Sequence, residues 1–100
     1  MNDLTVAELK QKIDNKEDFV LIDVRETYEH DEFNIGGTLI PLGNLTQSFP
    51  SLEDAKDKEV VVYCRSGNRS GMAKQLMIAA GFSNVKNTLG GMLAWQEMIK

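Results

Sequence analysis

Cysteine is almost missing from this 100-residue chain: Cys64 is the only one. A single thiol cannot close an internal disulfide, which agrees with a reducing compartment and sets the cytoplasm as the expected location. No apolar run approaches the length needed to cross a bilayer. The first residues, Met1-Asn2-Asp3-Leu4-Thr5, lack a basic segment followed by an apolar one, so no signal peptide is expected. Basic charge is in short supply too, with 11 Lys and Arg against 15 Asp and Glu for a formal net charge of −4. That balance argues against nucleic acid or an anionic membrane surface as a partner. Repeats, low-complexity tracts and linkers are absent as well. What remains is an ordinary globular composition, 42% hydrophobic and 26% charged. It suits one domain over residues 1–100 with a single core, expected to be a monomer.

The scarce cysteine stands in an unusual place. Val60-Val61-Val62-Tyr63 reads as a buried strand, and Cys64-Arg65-Ser66-Gly67-Asn68-Arg69-Ser70 follows it directly. A helical pattern then begins, with Met72, Ala73, Leu76, Met77 and Ala80 at helical spacing and Gly81 as the residue that ends it. Those methionines are expected to fill core. A strand, an amide-rich loop and a helix start within about twenty residues make an anion site. Two arginines within five residues of the cysteine, on an otherwise acidic chain, strengthen that reading. A thiol there should ionise readily, its pKa falling from about 8.5 toward roughly 5–7.

The rest of the chain alternates. Thr5 and Glu8 form a capping box for a helix with Val6, Leu9 and Ile13 on one face. Phe19 to Val24 is a continuous apolar strand, broken by Asp23. A carboxylate at that position needs a partner, and Arg25 or the loop is the candidate. Arg25 to Phe33 reads as a short helix on which Arg25 and Glu29, four apart, can pair. His30, Asp31 and Glu32 are consecutive and diverge on a helix, so no metal site is expected, and His30 reads as a surface residue. Asn34-Ile35-Gly36-Gly37 is a turn, Thr38 to Ile40 a brief strand, Val85 to Leu89 a last strand and Met92 to Ile99 a final helix after Gly90-Gly91. Trp95 should pack that helix on the sheet. The alternation implies an α/β domain with a largely parallel sheet. Sites in such sheets lie beyond the carboxyl ends of the strands, where Cys64 and Asp23–Arg25 both fall.

Three segments together resemble the single-domain rhodaneses, a sulfurtransferase family. They are Leu21-Ile22-Asp23-Val24-Arg25-Glu26 with Glu29, Val61 through Ser70, and Gly90-Gly91-Met92-Leu93-Ala94-Trp95. One segment departs from the family: Asn34-Ile35-Gly36-Gly37-Thr38 stands where a His-Ile-Pro-Gly-Ala turn is common. The resemblance implies a three-layer α/β domain, a five-stranded mainly parallel sheet with helices on both faces. It also implies transfer of a sulfane sulfur from thiosulfate or a persulfide donor, through a Cys64 persulfide, to a thiol, a protein thiol included, or to cyanide. No cofactor or metal is implied. Arg65, Ser66, Gly67, Asn68, Arg69 and Ser70 would bind the substrate. In this scheme Arg65 and Arg69 take the sulfonate and Ser70 caps the helix, while Asp23 and Arg25 support the site. Phosphatases of the same fold have a loop longer by one residue. Here four residues separate Cys64 from Arg69, which suits sulfur better than a phosphoryl group. A carrier that docks on a partner with little turnover, or less readily a phosphatase or arsenate reductase, are the alternatives.

Overall fold

The computed structural model describes residues 3–100. Met1 and Asn2, the start of the expected 1–100 domain, lie outside the described residues. Val60, Val61 and Val62 have no solvent exposure and form the middle of β3 (Glu59–Tyr63). β1 (Val20–Asp23) runs parallel to it, with Val20 opposite Val60 and Asp23 opposite Tyr63. β2 (Thr38–Leu39) and β4 (Asn84–Asn87) complete a parallel sheet in the order β2-β1-β3-β4.

Successive side chains on a strand point to opposite faces. Val60 and Val62 therefore join one core and Val61 and Tyr63 another. The first core packs Ile22, Leu45, Ala73, Met77 and Phe82 around them. Its covering layer is α4 (Asn68–Ala79) with α3 (Leu45–Ser48), the latter set between 3-10 turns at Leu42–Asn44 and Phe49–Ala55. The second core packs Leu9, Met92 and Trp95, carried by α1 (Val6–Asp14) and α5 (Gly91–Met98). Both faces are covered, which explains why the central strands read as continuous apolar runs. Trp95 sits between helix and sheet as its sequence position predicts, and the capping box forms, with the Glu8 N–H donating to Thr5 Oγ1 and the Thr5 N–H to Glu8 Oε1.

Four expectations change. Instead of a single core, the sheet carries one on each face. Among the described residues the sheet has four strands and not five. Beside β4 the described residues form a single parallel bridge, between Leu4 and Thr88, and Thr5 caps α1 directly after it, which turns the chain away from the sheet. The last strand accordingly ends at Asn87, short of Leu89. Met72 is not core filler: it is 60% exposed, on the solvent side of α4, while Ala73 and Met77 take the buried side. α2 (Thr27–Glu32) follows β1 and α4 follows β3, so both helices start at the carboxyl end of the sheet. Among the described residues, no helix is long and apolar enough to cross a membrane.

Candidate active site

Cys64 is buried at the end of β3. The chain must reverse into α4 immediately after it, and Gly67 makes the reversal as the N-cap residue, at φ +105°. That left-handed angle is one a Cβ opposes. It turns the Gly67 N–H back onto Cys64 Sγ at 3.0 Å, and the Ser70 hydroxyl lies 3.3 Å from the same sulfur. Burial pushes the thiol pKa up. The Ser70 hydroxyl and the amides of Ser70, Gly67 and Ser66 outweigh that and hold it below the ordinary cysteine value. The positive end of α4 acts in the same direction. Ser70 is not the cap that its position suggested, because Gly67 holds the N-cap and the Ser70 hydroxyl turns inward, toward the sulfur and toward Asn87 Oδ1 at 2.5 Å.

The loop is braced from two sides. The N–H groups of Met92 and Leu93, left unpaired by helix geometry at the start of α5, donate to the carbonyls of Cys64 and Arg65, both at 2.9 Å. This close approach dictates Gly91: a Cβ there would fall 2.5 Å from the Cys64 carbonyl oxygen. From β4, Asn87 Nδ2 donates to the Gly67 carbonyl at 3.1 Å.

At the end of β1, Asp23 is fully buried and clamped. Arg25 Nε and Nη2 donate to its two oxygens at 2.9 and 2.8 Å, and the Arg25 backbone N–H donates to Oδ1 at 2.9 Å. Burial would raise the Asp23 pKa; Arg25 and His30 outweigh it and hold the carboxyl below the usual range. His30 is therefore not a detached surface histidine, since its Nδ1 lies 2.8 Å from Asp23 Oδ2. Nor does Arg25 pair with Glu29. Arg25 Nε and Nη2 go to Asp23, with Nη2 also donating to the Phe33 carbonyl, and Glu29 instead accepts from Arg69 Nη1 and Nη2 at 2.7 and 2.8 Å. Arg69, with burial opposing, brings the Glu29 pKa down to about 2.

These elements enclose a cleft of about 490 Å³. Arg65 lines it from the loop, Arg69 from the first turn of α4, Tyr28 and Glu29 from α2, and Met92 and Leu93 from the start of α5. Of the residues singled out in the sequence, Cys64, Gly67 and Ser70 meet at the sulfur, and Ser66 reaches it through its amide. Arg65, Arg69 and Arg25 line the cleft. Asn68 begins α4 and its side chain is exposed. Sequence reasoning missed Asn87 and the grip of Glu29 on Arg69. Glu29 belonged to the first resembling segment, which was a usable signal; nothing local marked Asn87.

The sequence profile of the rhodanese-like domain matches residues 5–98. The putative sulfurtransferase YtwF of Bacillus subtilis is 39% identical over all of this chain and 95% of its own length. The putative sulfur carrier protein YrkF of the same organism is 35% identical over 93% of this chain, which spans only 50% of that protein. Among solved structures, a rhodanese-like domain protein from Staphylococcus aureus superimposes with a TM-score of 0.85 at 29% identity, covering 95% of this chain and 91% of that one. A human single-domain sulfurtransferase gives 0.80 at 26% identity, covering 95% of each. A parallel sheet with helices on both faces, a buried cysteine under loop amides, and relatives named for moving sulfur agree with one another: the chain belongs to the rhodanese-like family.

Proposed function

We propose that this domain transfers a sulfane sulfur through a persulfide on Cys64. The Cys64 thiolate attacks the outer sulfur of thiosulfate or of a persulfide donor. A new S–S bond forms, the donor's own S–S bond breaks, and sulfite or a thiolate leaves with the electron pair. An acceptor thiolate, or cyanide in an assay, then attacks the terminal sulfur and regenerates Cys64. The route is two displacements through a covalent intermediate.

The observation that carries this reading is the 3.0 Å contact of the Gly67 N–H with Cys64 Sγ at the foot of an arginine-lined cleft. Inward amides stabilise a thiolate and then a persulfide anion without reorganising. Arg69 spends two of its five N–H donors on Glu29. The remaining three, with Arg65, are assigned to the sulfonate of the donor. Asp23 and Arg25 fix the end of β1 beside the site. A domain that works as a free thiolate suits the cytoplasm.

The four-residue spacing between Cys64 and Arg69 favours sulfur over phosphate. Assays of thiosulfate:cyanide transfer and of p-nitrophenyl phosphate hydrolysis, run side by side, should show the first and not the second. Phosphate hydrolysis without sulfur transfer would reverse the assignment. Likeness to the putative sulfur carrier YrkF favours a second reading, in which Cys64 loads once and hands its sulfur to a partner. A stoichiometric burst without turnover would select that reading. Cys64→Ser should stay folded and form no persulfide in either case.

A further inference from the structure

We propose that Asn87 is a positioning residue for the nucleophile: it holds the Ser70 hydroxyl and thereby governs the hydrogen bond that Cys64 Sγ receives. The inference rests on the reading of Cys64 as the reacting sulfur. Ser70 is fully buried, and its hydroxyl carries one proton. Two acceptors face that proton: Cys64 Sγ at 3.3 Å and Asn87 Oδ1 at 2.5 Å. It serves one at a time. With Cys64 as the thiol, S–H donates to Ser70 Oγ and Ser70 donates to Asn87, so every member of the chain is satisfied. With Cys64 as the thiolate, the hydroxyl must turn to the sulfur and Asn87 Oδ1 loses its donor. Asn87 therefore competes with the thiolate for Ser70. Once Cys64 carries a second sulfur and the charge sits on the outer atom, Ser70 is free to return to Asn87.

The other Asn87 contact does not offset this. Its Nδ2 bond to the Gly67 carbonyl is duplicated by the Gly71 N–H, 2.9 Å from the same oxygen. Met92 and Leu93 also pin the loop. The Gly67 amide stays in place when Asn87 is shortened, and the change at the sulfur runs through Ser70. The charged groups nearby include Arg65, which follows Cys64 in the loop and lines the cleft, Arg69, which interacts electrostatically with Cys64, and Asp3, which accepts from the Asn87 backbone N–H and pairs with Lys74. None of them is altered by the substitutions below.

The test is the pH dependence of Cys64 alkylation by iodoacetamide, followed by mass. It reads thiol acidity whether or not the protein transfers sulfur, so failure of the inference and failure of the proposed function are distinguishable. Asn87→Ala should lower the midpoint by about half a pH unit, the size of one neutral hydrogen bond. The lowering should vanish in a Ser70→Ala background. Asn87→Asp, which keeps the shape and the acceptor, should raise the midpoint, and by less when Ser70 is replaced. If Asn87→Ala does not fold, the Asn87→Asp pair decides. An unchanged or higher midpoint in Asn87→Ala, or shifts of equal size with and without Ser70, overturns the inference.

Discussion

Glu29 and Arg69 stand forty positions apart and share two hydrogen bonds across the mouth of the cleft. The pair is a pH-dependent support. The Glu29 pKa is about 2 in the folded protein against 4.5 unperturbed. A depressed carboxyl pKa stabilises the fold above the unfolded value and loses that contribution as pH falls through the folded one. The Arg69 side chain is about a third exposed, so solvent screening reduces the gain to about 1–2 kcal/mol. Urea denaturation should find Glu29→Gln less stable than the parent by that amount at pH 7. The gap should close as pH falls from 4.5 to 2, and a gap independent of pH would contradict the assignment. The buried Asp23–Arg25 clamp behaves differently. Arg25→Ala leaves an ion with His30 as its remaining side-chain partner, and a loss of about 3–5 kcal/mol is expected at pH 7.

Among the elements, α5 has a role beyond closing the sheet. Its first N–H groups hold the carbonyls of Cys64 and Arg65, so this helix start is part of the loop's scaffold. Gly91→Ala drives a Cβ into backbone at 2.5 Å and strains a residue at φ +55°. It should cost about 1–3 kcal/mol and also raise the Cys64 alkylation midpoint. Gly36 is left-handed too, at φ +93°, but has open space around it. Gly36→Ala should cost only about 1–2 kcal/mol of backbone strain and leave the midpoint alone. Equal effects at both positions on the thiol would mean that α5 does not brace the loop. Elements with strong local signals were legible in the sequence: the Thr5–Glu8 box, the valine run of β3, the loop glycine and the Gly81 stop. Met72 was misread because helical spacing alone does not say which side of α4 meets the sheet.

For the whole molecule, the alternating helix and strand pattern was enough to deduce a largely parallel sheet with Cys64 and Asp23 at its carboxyl end, while helices on both faces followed from the rhodanese resemblance. What escaped sequence reasoning depends on convergence in space. Asn87 looks like a polar residue near a strand end until the sheet order sets β4 beside β3 and brings its amide to Ser70. Among the described residues the fifth strand is reduced to the Leu4–Thr88 bridge, because Thr5 caps α1 directly after it. The two cores also separate stability from chemistry. Leu9 has no exposure and lies in the core away from α4. Leu9→Ala should cost about 2–4 kcal/mol in urea denaturation while the Cys64 alkylation midpoint stays put.

The most direct measurement is the intact mass of the reduced protein after exposure to thiosulfate, with the Cys64→Ser variant alongside. A sulfur held by this cysteine predicts a gain of one sulfur atom, mapped to Cys64, removed by cyanide and missing from the variant. A mass that does not change, or a gain the variant shares, would contradict it.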